Sequence, residues 1–586
     1  MTDATSPAPR TPTAIDALAE EYIHDLAALD PILATDLGLP GRDTELPDWS
    51  PAGHRARTDL ARATLTRLDG LEPADDTDRV TVAAMQERLG VILDMADAGE
   101  ELRDLNVLHS PSQEARLIFD LMSTDTEANW ADVAGRLARV PQALAGYRAS
   151  LSAGRAAGAM PARRQIAAVA EQARALADPA SSFFTTFVGD ARPGGTAPTA
   201  ALAGELASGA AAAATAYGEL ADFLSGDFAA DAPQIDAVGR ERYELYSRQF
   251  LGARIDLEET YHWGLAELAA IDTEQRAIVR DLFGEDLPLT EAFARLDADP
   301  ARQLHGIDAL QNWMQTVSDE AIDTLDGTMI DIPAPLHRLE CRIAPTSSGG
   351  IYYTGPSQDF SRPGRMWWAV SEGTDTFATW QERTTVYHEG VPGHHLQVGY
   401  TTYLADRLNL WRRVTWISGH GEGWALYAER LMDDLGHLPD PADRLGMLDG
   451  QRLRAARVAL DIGVHLGLDF PAEWIPSSGP GAAARRDVAD FSRWDADTAW
   501  AFLRSNVATE EGFLRFEWQR YLGWPGQAPS YKVGERLWLN ARDEFLATRP
   551  GMPRDAALRE FHVAALSLGS LGLDVLTAAL RDGSRP

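Results

Sequence analysis

Three histidines and a carboxylate fall within eight residues in the run Tyr387-His388-Glu389-Gly390-Val391-Pro392-Gly393-His394-His395. The whole chain holds 13 histidines in 586 residues, so this run concentrates ligand chemistry. Neutral imidazole is a good zinc ligand, and a glutamate beside it can take a proton from zinc-activated water. The spacing nevertheless departs from H-E-x-x-H. Pro392 stands where the second histidine belongs, and the next histidines come at +6 and +7.

A regular helix through this run cannot chelate. Each residue turns about 100° and rises about 1.5 Å, so His394 would point away from His388. His395 would return to the same face about 10.5 Å further along, too far for two nitrogens that each need about 2.0–2.1 Å to zinc. Pro392 and Gly393 supply the remedy. Proline removes a backbone donor and clashes with the carbonyl four residues back, that of His388, while glycine permits unusual dihedrals. A bulge there brings His394 back towards His388. His394 is the preferred second ligand, with His395 supporting it from behind. The competing reading is a histidine-rich helix end that binds nothing.

A third ligand is expected from Ser418-Gly419-His420-Gly421-Glu422-Gly423-Trp424-Ala425-Leu426-Tyr427-Ala428-Glu429. Glu422 lies at the glycine-flanked start, where backbones approach closely, and a glutamate from a following helix completes a His₂Glu site. Glu429 or Asp433 would orient a ligand histidine. For Glu429 the bland alternative is a surface salt bridge with Arg430 or Arg413.

The elements that must position these groups read as mostly helical. Ile15–Leu29, Leu60–Leu68, Val80–Met95, Trp130–Leu151 and Ala200–Phe223 carry apolar residues at helical spacing. Phe377–His388 reads as the helix that enters the motif. Gly/Pro-rich stretches at Asp190–Pro198 and Ser477–Gly481 read as loops. Between Arg338 and Val370 the pattern changes to short aromatic and branched runs, predicting a small sheet before the metal-binding helix. An edge strand there would pair with an extended peptide or serve as a structural hairpin. The predicted organisation is a disordered tail over 1–14, an N-terminal helical region over 15–330 and a catalytic region over 331–586. One continuous body over the last two is the alternative reading.

A net charge of −34 disfavours nucleic acid and anionic membranes as partners. No run is long and apolar enough to span a bilayer, and Met1–Ala14 lacks a signal-peptide pattern, so the expectation is a cytoplasmic protein. One cysteine, Cys341, excludes an internal disulfide and a cysteine-rich metal site.

The motifs carry a family resemblance. His-Glu-Gly-Val-Pro-Gly-His-His-Leu-Gln from His388, with Glu-Gly-Trp-Ala-Leu-Tyr-Ala-Glu from Glu422, resembles the bacterial DUF885 family. So do Tyr352-Tyr353-Thr354-Gly355-Pro356-Ser357 with Ser361-Arg362-Pro363-Gly364, the Arg457–His465 helix, and Pro525–Gly534. The family in turn resembles the M32 zinc carboxypeptidases and their helical relatives. This implies a mainly α, metallopeptidase-like body with a deep cleft and a small sheet beside the metal helix. It also implies one Zn²⁺, or another divalent ion, on His388, His394 and Glu422, with Glu389 as base.

The leading expectation is hydrolysis of a peptide or related amide bond. Tyr531, in a Gly/Pro/Ser-rich loop that would close over the cleft, is the first choice of oxyanion donor. His465 is the second, with Asp461 four residues earlier placed to fix its ring. Arg362 and Lys532, the chain's single lysine, are candidates for a substrate carboxylate, with Arg457 and Arg520 as weaker ones. Tyr352 and Tyr353 are expected to line the substrate site. Two other readings stay open: a metal-dependent tailoring enzyme that cleaves or forms an amide on a small metabolite, and a non-catalytic binding protein. Substrate identity and oligomeric state are not legible.

Overall fold

Prolines open many of the helices. Pro31, Pro51, Pro111, Pro141 and Pro441 all stand in first turns, where the missing N–H costs nothing. The computed structural model describes residues 9–345, 350–475, 488 and 490–584. It is mainly helical with a little sheet, and two of the helices expected from spacing appear as Ala14–Leu29 and Ala200–Phe223. Pro141 splits the expected Trp130–Leu151 helix into Glu127–Leu137 and Val140–Ala156. Residues 1–8 of the expected tail, and the Ser477–Gly481 loop, lie outside the described residues. Arg10, within that tail, is bound to Asp75, Asp78 and Asp16, so the chain is anchored before the first helix begins.

Among the described residues, apolar side chains gather in two clusters. One draws on Ile15 through Met85 and then on most helices from Tyr243 to Leu580. The other is built between Trp49 and Ala232, around Phe119, Tyr147, Phe184 and Tyr217. In the first cluster the long helices Leu257–Phe283 and Pro441–Leu466 run along each other.

A second close pair carries site residues. Helix Ser418–Asp434 packs on helix Ser530–Ala547 with the backbones almost touching. A Cβ added to Gly423 would lie 2.5 Å from the Gly534 carbonyl carbon, and one added to Gly534 would lie 2.3 Å from the Gly419 oxygen. The glycines around Glu422 therefore set the distance between these two helices.

Among the described residues, five strands fall in two small sheets. Strands β1 (Gln303–His305) and β5 (Thr376–Ala378) pair antiparallel. Strands β2 (Leu339–Ile343), β3 (Ile351–Thr354) and β4 (Gly364–Trp368) form a sheet of order β2-β4-β3, with β2 parallel and β3 antiparallel to β4. This is the sheet expected before the motif, and β3 is one of its edges. Phe377 belongs to β5, so the helix expected to begin there starts only at Arg383.

Candidate metal centre

The helix Arg383–Glu389 ends one residue after His388, and a new helix, His394–Tyr403, starts at the second histidine. The interruption is larger than the expected bulge: Gly390–Gly393 forms a four-residue break. Gly390 (φ −93°, ψ −123°) and Gly393 (φ −71°, ψ −127°) hold the turn. A Cβ at Gly393 would meet the His388 carbonyl oxygen at 1.9 Å, so only glycine fits there. Trp424, fully buried in the helix of Glu422, donates its indole N–H to the Pro392 carbonyl at 2.9 Å. That bond ties the break to the helix that carries Glu422.

The consequence is convergence. The His388 and His394 rings stand edge to face with centroids 5.0 Å apart. Glu422 Oε2 lies 3.3 Å from His388 Nε2 and 3.8 Å from His394 Nε2. Two ligands at about 2.0–2.1 Å in a tetrahedral shell sit about 3.3 Å apart, so these spacings suit one small cation. Glu389 Oε1 is 4.0 Å from His388 Nε2, and His388, Glu389 and His394 offer ligand atoms all within 4.8 Å of one another.

Each ring's other nitrogen is already spent. His388 Nδ1 donates to Glu429 Oε1 at 2.7 Å, and Thr384 Oγ1 donates to Glu429 Oε2 at 2.7 Å. Glu429 is thus a buried support of His388 rather than half of a surface salt bridge, while Asp433 pairs with Arg444. His394 Nδ1 faces Gln397 Oε1 at 3.4 Å, and Gln397 Nε2 donates to His420 Nδ1 and to the His420 carbonyl. A carboxylate or amide oxygen only accepts, so both histidines carry a proton on Nδ1 and turn Nε2 towards the Glu422 carboxylate. His395 uses both nitrogens elsewhere, on the Tyr353 hydroxyl and the Leu336 carbonyl.

The electrostatics show a site that wants positive charge. Burial opposes a charged His388, yet Glu422 and Glu429 outweigh it and hold the imidazolium at about 10. Burial pushes His394 down to about 4, with Glu422 opposing. Burial raises Glu389 to about 7 against the pull of His388. Glu422 resists its burial through the His388 hydrogen bond and stays near 2. With protons as the only cations, His388 takes the charge that two carboxylates demand. A divalent ion on Nε2 would take that proton's place, so the residues present fit a metal.

These groups open on a cavity of about 420 Å³. Strand β3 contributes Ile351, Tyr352 and Tyr353, and Tyr531, Arg454, Arg457 and Trp416 complete much of the wall. Tyr531 lies in the first turn of helix Ser530–Ala547, not in a mobile loop, and residues 525–530 before it are buried rather than poised as a lid. Its hydroxyl is pushed up to about 12 by burial and Glu422, so it stays protonated.

Several expected residues are not brought here. His465 is fully buried outside the cavity lining, with Nε2 donating to the Tyr521 carbonyl at 2.8 Å. Asp461 does not hold it; Asp461 Oδ1 accepts from the Tyr243 hydroxyl and the Gly526 N–H. Lys532 is consumed by Glu535, Glu267 and Gln451. Arg362 does not line the cavity and reaches the Pro363 carbonyl. Arg520 pairs with Glu517 and Gln527.

Sequence reasoning missed Gln397, Arg454, Trp416 and Trp424. Gln397 stands three residues after His394 on a helix, a spacing that could have flagged it. Arg454 stands three before Arg457 on the same helix face. Nothing in the sequence alone marks Trp416, and Trp424 stands in the quoted Glu422 motif without a role that spacing assigns.

Among solved structures, the chain resembles a candidate lipoprotein from Colwellia psychrerythraea, with a TM-score of 0.79 over 97% of this chain and 98% of that one at 20% identity. It also resembles a candidate lipoprotein of unknown function from Shewanella oneidensis, with a TM-score of 0.71 over 97% and 100% at 16% identity. At these identities the likeness speaks for the helical fold alone, and it does not bear on the M32 resemblance. No curated protein matches the chain in sequence. Residues 31–580 match the family described as bacterial protein of unknown function, DUF885, and the chain belongs to it. Among the described residues, no helix is long and apolar enough to cross a membrane.

Proposed function

We propose that this DUF885 protein is a metal-dependent hydrolase of a peptide or related amide bond. The observation that carries the reading is the convergence of two Nε2 atoms and one carboxylate oxygen, each histidine fixed from behind by an acceptor on Nδ1. His388, His394 and Glu422 would hold the ion, with zinc the best match to two imidazoles and a carboxylate. When bound, such an ion supplies Lewis acidity and lowers the pKa of water.

The remaining chemistry belongs to the chain. Glu389 sits beside the ligands, among the described residues no cation hydrogen-bonds it, and its affinity for a proton near neutrality suits a general base. It would accept the proton of the attacking water and pass it to the leaving nitrogen. Tyr531, protonated and lining the same cavity, is placed to donate to the oxyanion that forms at the attacked carbonyl. Trp416 and Tyr352 bound the space available to the substrate.

The test is Glu389→Gln in metal-replete protein, assayed on a panel of acyl dipeptides. The expected result is retained metal and a fall of about 100- to 10,000-fold in turnover. Retained metal with undiminished turnover would remove Glu389 from the reaction. Failure of the wild-type protein to bind zinc stoichiometrically would remove the reading altogether, and would favour a non-catalytic binding protein.

A further inference from the structure

Helix Pro441–Leu466 presents two arginines to the cavity, three residues apart and therefore on one face. They are in opposite states. Arg457 is spent: its Nε donates to the Tyr521 hydroxyl at 2.6 Å and its Nη2 to Glu517 at 2.6 Å. Arg454 is not. Among the described residues its guanidinium makes no hydrogen bond or ion pair, and its Nε is shut off from solvent without a partner. Its charge is nevertheless felt by Glu389, Glu422 and Tyr531 across the same space.

An unpaired guanidinium in a partly enclosed cavity is costly unless something outside the chain completes it. Glu389, Glu422, Glu429 and Asp449 feel its charge, yet none of them bonds to it among the described residues. The surface carries a net charge of −34, so anions are not drawn in from a distance, and recognition of one has to be local. A planar fork of donors suits a carboxylate above other anions of this size. The cavity, at about 420 Å³, leaves little distance between that fork and the ligand cluster.

We propose that Arg454 is the anchor for a substrate carboxylate, and that the substrates are short amides bearing a free carboxylate within about one residue of the bond attacked. This rests on the hydrolase reading for the reaction, though not for the binding. It assigns to Arg454 the role that Lys532 and Arg362 are too committed or too distant to fill.

The experiment compares acids with their amides. Calorimetry measures binding of N-acetyl-phenylalanine and N-acetyl-phenylalaninamide, and kinetics compares acyl dipeptides with their C-terminal amides. In the wild-type protein the acid is preferred in both. Arg454→Gln is expected to lower affinity and kcat/KM for the acid about 10- to 100-fold more than for the amide. Arg454→Lys, which keeps the charge and loses the fork, should recover part of the preference. An acid-to-amide ratio that Arg454→Gln leaves unaltered overturns the proposal, as does equal binding of acid and amide by the wild type. If Arg454 merely balances the glutamates, the substitution shifts metal affinity and the pH profile but not that ratio. Acid-selective binding lost in Arg454→Gln, with no turnover of any amide by the wild type, would sink the hydrolase reading and leave the anion anchor standing.

Discussion

Two buried polar clusters lie on neighbouring stretches of this protein, and both combine histidine with acid. In one, His388, His394 and Glu422 meet at the cavity. In the other, Asp461 and His465 meet Tyr243, Tyr521 and the loop at Gly526. Composition does not separate them. Direction does. In the first cluster Glu429 and Gln397 satisfy the nitrogens that face the protein, which leaves the other nitrogens aimed at a shared point. In the second cluster the bonded atoms are turned on the chain itself, and the two left over, Asp461 Oδ2 and His465 Nδ1, do not line the cavity. His465 Nε2 serves the Tyr521 carbonyl, one of the last four of the helix Glu511–Gly523, which lack partners within the helix. A reactive site is therefore marked by which valences remain after the fold has taken its share.

This contrast can be broken most sharply at Glu429. Glu429→Gln keeps the shape and removes the charge behind His388. Metal affinity is expected to fall about 10- to 100-fold, measured by competition with a chromophoric chelator. Unchanged affinity would mean that the support from behind is idle, and the two clusters would differ less than their geometry suggests. A smaller effect sharpens the same point. His388 holds its proton up to about 10, above the ordinary histidine value, so that proton is present at neutral pH and must leave when a cation takes Nε2. Affinity for zinc should therefore rise about tenfold per pH unit between pH 7 and 9, with about one proton released per ion. Calorimetry in buffers of differing ionisation enthalpy reads that proton directly. Because Glu429 helps to hold it, Glu429→Gln should move the dependence to lower pH.

The fold's helical character and the sheet before the motif were legible because both rest on local periodicity. The convergence of His388 and His394 was legible for a stronger reason: a regular helix could not bring them together, so Pro392 and Gly393 had to interrupt it. What spacing did not reveal was the size of the break, which depends on Trp424 gripping the Pro392 carbonyl from 32 residues away in sequence. The substrate side was the least legible. Lys532 stands out as the chain's single lysine, yet three partners consume it, and Arg454 looked like any other arginine. Pairing is a long-range property, and no local pattern announces which cation is left over.

The same reasoning fixes the expectation for His465, the smallest effect on chemistry. Asp461 and His465 are four residues apart on one helix, which suggested a carboxylate orienting an imidazole. Burial pushes Asp461 up to about 7 and His465 down to about 4, so neither favours charge, and each keeps one buried atom without a partner. Their bonds instead hold the turn between helices Glu511–Gly523 and Ser530–Ala547. The second of these helices carries Tyr531, but it has its own anchorage: Gly534 packs on Gly419 and Gly423, and the Ser418 and Ser530 hydroxyls bond at 2.7 Å. Loss of His465 should therefore loosen the turn and leave Tyr531 in place. His465→Leu is expected to cost about 1–3 kcal/mol in denaturant unfolding, because the Tyr521 carbonyl loses its donor in a buried position. Zinc affinity and kcat/KM should match the wild type. A variant of normal stability that had lost turnover would return His465 to the reaction and erase the distinction between the clusters.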